Sequence, residues 1–196
     1  SKNASTVGAY HLEIINSKNG ENINLEKLKN NFYDFIFLIG QDNLDFKKKS
    51  EFVVYIGSHG DKGAEYADVI LPGSAYTEQD GHFTNLEGRI QKSFKASYPP
   101  GNAKEDWLII NELSELIKRK KLYENKDKLI DNMNNFLKIN NKNSNFEEDV
   151  AKNFINEKIE IEKIDYYHSN VIARASKTLN ECRNVKIKMK STGTDG

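Results

Sequence analysis

The stretch EFVVYIGSHGDKGAEYADVILPGSAYTEQDGHFTNLEGRIQ, residues 51–91, decides the fold of this chain. Two apolar runs within it, FVVYI at 52–56 and ADVIL at 67–71, are almost continuously hydrophobic instead of alternating with polar residues. Strands of this kind are typical of a parallel sheet that is covered on both faces. The segment 57–67 between these two runs is long enough for a tight crossover with a short helix. The sequence therefore predicts an α/β fold.

Further elements are predicted on either side of this stretch. The run FYDFIFLIG at 32–40 is another buried strand that ends at glycine. Residues 82–91 (HFTNLEGRIQ) are typical of a β-hairpin. The first 31 residues are polar and partly helical, and Leu25 and Leu28 fit one turn of an amphipathic helix. The sheet is thus expected to have helices at its flanks and a small hairpin after it.

The second half of the chain is predicted to be helical. After the break PPG at 99–101, Asn102 can cap a helix, with Glu105 at the capping-box position. That helix carries an apolar stripe, interpreted as core or subunit interface and formed by Trp107, Ile110, Leu113 and Ile117.

Three more helices are expected before the C-terminal tail. The first passes through Leu129 and Phe136 and ends in a polar linker at 138–145. A second capping box, Ser144 with Glu147, starts the next. The last helix is predicted to have one apolar face, formed by Ile172, Ala175, Leu179 and Cys182.

Composition restricts the class of partner and compartment. The chain has 29 basic and 29 acidic residues, so its formal net charge is zero. This gives no electrostatic reason to expect nucleic acid or an anionic membrane as a partner. The longest apolar run, FIFLI at 35–39, is far too short to cross a bilayer, so direct membrane insertion is not expected. The single cysteine, Cys182, excludes an internal disulfide and an all-cysteine cluster within these residues.

The glycine-rich connection after the second strand is the first candidate site. Gly57, Gly60 and Gly63 follow the spacing G-x-x-G-x-x-G, which is neither the dinucleotide fingerprint nor a P-loop. Glycines between a strand and a helix can bring backbone N–H groups against a phosphate. The alternative interpretation is a tight turn that needs glycine.

Two carboxylates in the hairpin region, Glu78 and Glu87, are the second candidate. A pair of this kind can perform general acid–base catalysis, but no nearby nucleophile or base completes a mechanism. The interpretation we favour is that they pair with Arg89 or accept backbone N–H bonds.

Metal binding has weaker support. The four histidines, His11, His59, His82 and His168, stand at no recognised ligand spacing. Cys182 falls on an apolar helix face, where a small hydrophobic residue is the usual interpretation. No catalytic, cofactor-binding or metal-ligating residue is therefore assigned.

Four motifs within residues 52–110 follow one another in a specific order. They are GSHGDKGA at 57–64, ADVILPGSAYTE at 67–78, GHFTNLEGRIQ at 81–91, and PPG with EDW at 99–107. This region closely resembles the C-terminal part of the largest iron–sulfur subunit of respiratory complex I, NADH:ubiquinone oxidoreductase. The segment ASTVG at 4–8 and the segment DYYHSNVIARASKTLNEC at 165–182 extend the resemblance more weakly.

The resemblance implies a Rossmann-like domain related to molybdopterin oxidoreductases. In active members of that group, the region similar to 57–91 helps to hold a pterin dinucleotide. In complex I the domain serves as a scaffold without a molybdenum cofactor, and the iron–sulfur clusters lie on cysteines of the N-terminal part. With one cysteine, this chain is expected to carry no cofactor, the clusters residing in the missing part or on a partner chain.

The resemblance also implies an organisation and a role. We expect an α/β domain at 1–121, a helical extension at 122–190 and a disordered tail at 191–196. The chain is then a non-catalytic C-terminal fragment of the subunit, an enzyme component only through the proton-translocating complex. Its expected partners are other peripheral-arm subunits, including a separate chain with the cysteine-rich part. The expected location is the matrix side of the mitochondrial inner membrane.

Two other hypotheses stay open. The chain could be a pterin-dinucleotide-binding fragment of an active molybdopterin oxidoreductase such as a formate dehydrogenase. It could also be a free-standing α/β domain that binds a nucleotide at the glycine-rich connection. The segment EGR at 87–89 and the C-terminal resemblance both favour the complex I interpretation.

Overall fold

A computed structural model describes residues 6–14, 23–143 and 165–191. The chain divides into two compact units, and each is described by itself. The hairpin unit comprises Ser1–Phe32 and Gly73–Ile159, and the sheet unit comprises Tyr33–Pro72 and Glu160–Gly196. In chain order the elements are α1 (Thr6–His11), α2 (Ile23–Lys29), β1 (Phe35–Ile39), β2 (Phe52–Gly57), α3 (Lys62–Glu65), β3 (Val69–Pro72), β4 (Gly81–Thr84), β5 (Ile90–Ser93), α4 (Asp106–Lys118), α5 (Lys126–Asn143), a 3-10 turn (Tyr166–His168), α6 (Val171–Ala175) and α7 (Lys177–Ser191).

The sheet unit is built on three parallel strands in the order β1–β2–β3. The register places Phe35 beside Phe52, and Val54 lies between Phe37 and Val69. Aromatic and aliphatic residues fill all three strands, as expected for strands of a parallel sheet. The predicted parallel sheet and α/β class are confirmed.

The crossover from β2 to β3 contains the predicted short helix, α3. Asp61 is its N-cap, and the Asp61 side chain accepts a hydrogen bond from the Lys62 backbone N–H at 2.9 Å. At the end of the crossover, the Asp68 carboxylate accepts from the Val53 N–H and from Lys48 Nζ, both at 2.7 Å. These bonds fix where the chain leaves β2 and where it enters β3.

The two faces of the sheet differ in burial. The central strand is buried from Val53 to Ile56. In the edge strand β1, Ile36 and Leu38 are buried. The residues that alternate with them on β1, all three apolar, are exposed: Phe35, Phe37 and Ile39.

The C-terminal part of the sheet unit is not one helix, so that prediction is wrong. The helix breaks at Ser176, which has extended backbone angles between α6 and α7. The Asn180 side-chain amide donates to the carbonyls of Arg174 (2.8 Å) and Ser176 (2.9 Å), so it joins the end of α6 to the start of α7 across the break. Cys182 is exposed, so it does not pack as the small hydrophobic residue that its place on an apolar helix face predicted.

The hairpin unit contains the predicted β-hairpin, formed by antiparallel β4 and β5. The side-chain oxygen of Asn85 shapes its turn by accepting from the N–H groups of Glu87 (3.0 Å) and Arg89 (2.8 Å). Gly88 follows with φ of +82°, a conformation that favours glycine. A Cβ atom at Gly88 would stand 3.4 Å from the His11 ring of α1, which contacts β4.

The predicted start of α4 is wrong in detail. The N-cap is Glu105, not Asn102, and Glu105 makes no side-chain cap bond. Its carboxylate accepts instead from Trp107 Nε1 at 2.9 Å and from Lys126 Nζ at 2.5 Å, so it joins the start of α4 to the start of α5. Within the predicted apolar stripe, Ile117 is exposed; the buried residues of α4 are Ile109 and Asn111.

α5 continues to Asn143, so the prediction of a polar linker at 138–145 is wrong over most of its length. The run KINNKN is polar but contains no glycine or proline to end a helix. The predicted helix that starts at Ser144 and most of the predicted tail at 191–196 lie outside the described residues. The division at 121/122 stays a prediction. Across the described ranges, every helix is too short or too polar to cross a bilayer.

Candidate functional site

The glycine-rich connection, residues 57–63, lies at the carboxyl end of the central strand β2 and leads into α3. In open α/β sheets, ligands bind outside the carboxyl ends of the strands. The connection is therefore where this fold would hold a ligand. Its surroundings in the sheet unit decide what it can hold.

Tyr55 fills the space behind the connection. Its side chain is fully buried, and its hydroxyl donates to the Asp42 carboxylate and lies 2.8 Å from the His59 carbonyl oxygen. Burial, followed by the hydrogen bond to Asp42, raises the pKa of Tyr55 well above its ordinary value of 10. This hydroxyl is thus a fixed hydrogen-bond donor.

The glycines accommodate Tyr55. A Cβ atom at Gly57 would come within 2.1 Å of the Tyr55 hydroxyl oxygen. A Cβ atom at Gly63 would come within 2.6 Å of the Gln41 carbonyl oxygen and 2.8 Å of the Tyr55 ring. Neither glycine has a positive φ, so close packing and not a left-handed turn excludes a side chain there. At Gly60 a Cβ atom would meet nothing within 4 Å.

Arg174, from α6, completes this cluster. Its Nε donates to Asp61 Oδ2 at 2.7 Å, and its terminal nitrogen lies 3.9 Å from Asp42 Oδ2. Burial raises the pKa of Asp61, but the hydrogen bond from Arg174 and then that from the Lys62 N–H outweigh it. The net pKa therefore lies below 3.8. One guanidinium thus faces two carboxylates, at the place where a phosphate-binding loop would be positive.

The backbone donors at the end of the connection and in the first turn of α3 are occupied. The Gly63 N–H donates to the Asp42 carbonyl at 2.9 Å. The N–H groups of Ala64 and Glu65 donate to the Asp61 carbonyl, and that of Lys62 donates to the Asp61 side chain. A phosphate would need such donors to be free. The occupied donors at the start of α3 and the carboxylates of Asp42 and Asp61 beside them therefore do not fit the pyrophosphate of a pterin dinucleotide or of another nucleotide.

The carboxylates of the hairpin unit have structural partners. Glu78 accepts from the Ala75 N–H at 2.9 Å, within a turn that its own N–H closes on the Ala75 carbonyl. This confirms the interpretation of Glu78 as a backbone acceptor. Glu87 is exposed and lies 3.4 Å from the Asn85 amide. Nothing in their partners indicates a shared catalytic proton.

Two of the histidines have local hydrogen-bond partners. His59 Nδ1 lies 2.9 Å from Ser58 Oγ, and His168 Nε2 lies 2.7 Å from Asn180 Oδ1. Among the residues that the structure describes, no group of three or more acidic, histidine or cysteine side chains is placed to hold a metal.

Sequence reasoning missed the roles of Tyr55, Asp42 and Arg174. Tyr55 was part of an apolar strand, although a buried tyrosine hydroxyl usually needs a hydrogen-bond partner and so signals a polar site. Arg174 was noted only within the resemblance at 165–182. Its contact with Asp61 spans 113 positions and has no local signal.

Comparisons with known proteins bear on both units. The family model for molybdopterin oxidoreductase matches residues 1–116. The NADH-ubiquinone oxidoreductase 75 kDa subunit of Reclinomonas americana is 38% identical over 195 residues, which cover 93% of this chain and 28% of that protein. The G-type subunit of the NADH-quinone oxidoreductase of Rickettsia bellii is 40% identical over 208 residues, covering 97% of this chain and 28% of that protein.

A third relative matches a shorter stretch of the chain at higher sequence identity. The mitochondrial NADH-ubiquinone oxidoreductase 78 kDa subunit of Candida albicans is 54% identical over 92 residues, covering 46% of this chain and 13% of that protein. The chain thus spans little more than a quarter of the length of these relatives at most.

Proposed function

This chain belongs to the molybdopterin oxidoreductase family, and on that premise we propose that it is a non-catalytic structural part of the peripheral arm of respiratory complex I. It corresponds to a portion of the 75 kDa or G-type component of its relatives. The reaction, electron transfer from NADH to a quinone, then belongs to the whole assembly.

One observation carries the non-catalytic part of this proposal. At the connection 57–63, where the fold would hold a cofactor phosphate, the chain's own Tyr55 hydroxyl contacts the His59 carbonyl and its own Arg174 pairs with Asp61. The carboxylates of Asp42 and Asp61 face the same place and would repel an anion. The site is therefore suited to holding α6 against the crossover of the sheet, a structural task.

The remaining parts of the proposal are supported by the likeness to complex I subunits. These 196 residues contain one cysteine, whereas an iron–sulfur cluster takes four protein ligands, so the clusters lie on other cysteines of the subunit. The partners are other peripheral-arm subunits, including the polypeptide that carries those cysteines. The location is the matrix side of the mitochondrial inner membrane.

The proposal is tested by affinity capture of the tagged chain from gently solubilised membranes. Mass spectrometry then identifies the partners, and NADH oxidation and molybdenum content are measured on the same eluate. Capture of cysteine-rich and flavin-bearing subunits together with NADH oxidation supports the proposal.

Two outcomes would overturn it. Stoichiometric molybdenum and pterin in the eluate would favour an active molybdopterin enzyme, the alternative raised by the family itself. Recovery of the chain alone from solubilised membranes would contradict a structural role in a large complex. Capture from cells in which an established complex I subunit is depleted is the matched control, because the partners should then be lost together.

A further inference from the structure

The hairpin unit contains a cavity that the structural role proposed above does not use. Its volume is about 580 Å³, within the range of roughly 300–1,000 Å³ that is usual for small-molecule sites. Residues of α1, β4 and the start of α4 line part of it. α5 supplies one wall from residues at helical spacing on one side: Leu129, Ile130, Met133 and Phe136. The cavity therefore lies between elements of one unit, and most of its lining is apolar.

Aromatic rings form part of this lining. Trp107 comes from the first turn of α4, Tyr123 from the segment between α4 and α5, and Phe136 from α5. Hydrogen bonds fix two of these side chains, because Trp107 Nε1 donates to Glu105 at 2.9 Å and the Tyr123 hydroxyl accepts from Asn132 at 2.8 Å. Aromatic rings attract other rings, and they also attract cations that approach their faces. Such walls suit a ligand with an aromatic ring or a cationic group.

The charged residues of the cavity lie close together. Among the described residues that line it, three carry a formal charge: Asp80, Asp106 and Lys126. Lys126 Nζ donates to the Asp80 carbonyl oxygen at 2.8 Å and to the Glu105 carboxylate at 2.5 Å. Glu105 is the N-cap of α4, and Asp106 is the first residue of that helix. These four residues, called the acidic group below, contain three carboxylates and one ammonium.

Asp80 keeps its negative charge at neutral pH. Its Oδ1 accepts from the Lys95 N–H at 2.8 Å, and this hydrogen bond holds the pKa of Asp80 below 3.8. The nearby lysines Lys92 and Lys95 are not among the described residues that line the cavity. Their ammonium groups stand over the rings of Phe94 and Tyr98, at 4.7 and 4.5 Å from the ring centres. A ligand in the cavity would therefore meet a charged carboxylate at Asp80.

We propose that this cavity binds a small aromatic molecule that carries an ammonium or a similar cationic group. The ring lies against Trp107 and the apolar wall of α5, and the cation faces Asp80. The N-terminus of α4 could otherwise favour an anion, but Glu105 and Asp106 already place two carboxylates there. Nucleotides and fatty acids are therefore disfavoured. The proposal concerns the hairpin unit alone and goes beyond the role in complex I.

Fluorescence titration of the purified 196-residue chain tests this inference. Trp107 is the only tryptophan in the sequence, so its emission reports on the cavity that it lines. The probes are 4-phenylbutylammonium and 4-phenylbutyrate, which are similar in length and opposite in charge. The ammonium probe should change the emission saturably at millimolar concentration or below. It should bind at least about tenfold more tightly than the carboxylate probe.

Two substitutions separate the charged contact from the aromatic wall. Asp80→Asn keeps an oxygen for the Lys95 N–H and removes the charge, so it should weaken the ammonium probe at least about fivefold and not weaken the carboxylate probe. Phe136→Ala should weaken both probes by similar factors, because both would contact that ring. Asp131→Asn, an exposed carboxylate of α5 outside the lining, is the control and should bind both probes as the wild type does. Circular dichroism checks that the variants stay folded.

The proposal is overturned by equal affinity for the two probes or by a preference for the carboxylate. Absence of a saturable change in Trp107 emission with both probes would overturn it as well. Wild-type affinity for the ammonium probe in both Asp80→Asn and Phe136→Ala would place binding elsewhere on the surface. An equal loss in Asp131→Asn would reduce the effect to the overall charge of the chain. Because the isolated chain is titrated, these results are independent of whether it assembles into complex I.

Discussion

Arg174 Nε donates to Asp61 Oδ2 at 2.7 Å, although 113 positions separate the two residues in the sequence. Both side chains are largely buried, so solvent screens the pair less than it screens a surface ion pair. The same carboxylate caps α3 through its other oxygen. Asp61 therefore joins the crossover of the sheet to α6, and removal of its charge should weaken this connection.

The substitution Asp61→Asn should weaken the sheet unit in a pH-dependent way. The amide retains the capping oxygen but loses the charge, so the free energy of unfolding should fall by about 1–2 kcal/mol at pH 7. The folded pKa of Asp61 lies below its ordinary 3.8, so the stabilisation is present above about pH 4. It is lost as the pH falls through the folded pKa.

Urea unfolding at pH 7 and at several values below 4 measures this difference. The wild-type protein and Asp61→Asn should converge in acid. Asp131→Asn, an exposed carboxylate on α5, is the control. A deficit for Asp61→Asn of equal size at every pH would show that charge pairing with Arg174 is not the cause.

Gly63→Ala should destabilise the sheet unit although alanine favours helices. The helix α3 would gain up to about 1 kcal/mol from propensity. The new methyl group would, however, stand 2.6 Å from a backbone carbonyl and 2.8 Å from the buried Tyr55 ring. Such overpacking costs about 1–3 kcal/mol or more, so a net loss is expected in thermal or urea unfolding.

Gly60→Ala, three residues earlier, is the matched control. Its Cβ atom meets nothing within 4 Å, and no positive φ opposes a side chain there. Its stability should stay within about 1 kcal/mol of the wild type. Equal losses for the two variants would indicate that the connection needs glycine flexibility throughout and not space for Tyr55.

Tyr55 should ionise only as the protein unfolds in alkali. Its folded pKa is raised above 10, so the stabilisation by the protonated hydroxyl is complete below about pH 10 and is lost as the pH rises. Absorbance titration of the nine tyrosines should contain a late phase that coincides with loss of circular dichroism.

Tyr55→Phe should remove that late phase and lower stability at neutral pH by about 1–2 kcal/mol, because the hydroxyl's partners lose their hydrogen bond. Tyr98→Phe, at an exposed ring, should leave the late phase in place. A late phase that persists in Tyr55→Phe would assign it to another tyrosine.

Asn111→Ala should destabilise the hairpin unit. The buried Asn111 side chain accepts from the N–H groups of Leu122 (2.8 Å) and Tyr123 (3.0 Å) and donates to the Tyr123 carbonyl (2.9 Å). Alanine leaves these backbone groups without this partner, which should cost about 2–4 kcal/mol in urea unfolding. Asn134→Ala, at an exposed position of α5, should leave the free energy of unfolding almost unchanged. A similar loss there would show that the effect comes from replacing an asparagine in a helix and not from the hydrogen bonds of Asn111.

The sequence predicted the features that depend on local pattern. The unbroken apolar runs at 52–56 and 67–71 indicated a parallel sheet, because both faces of such strands meet other layers. The hairpin was predicted from the run HFTNLEGRIQ at 82–91, and the structure shows that Asn85 and Gly88 form its turn. These features need only neighbours a few positions apart.

The features that sequence reasoning missed depend on distant residues. Glu105 matched a capping box with Asn102, but Lys126 and Trp107 take its carboxylate and α4 starts later. The glycine-rich connection matched a phosphate loop as well as a turn, and only the positions of Tyr55, Asp42 and Arg174 distinguish the two. No pattern within the connection contains that information.

The contact between Arg174 and Asp61 also constrains how the chain reaches its fold. The ribosome synthesises all three strands of the sheet unit more than a hundred residues before it synthesises the arginine. Until then, Asp42 and Asp61 lack their cationic partner, and the strands already carry exposed aromatic residues. Closing so long a loop slows folding and prolongs the time at risk of aggregation. We expect nascent chains stalled before Arg174 to depend on chaperones more strongly than the finished protein does.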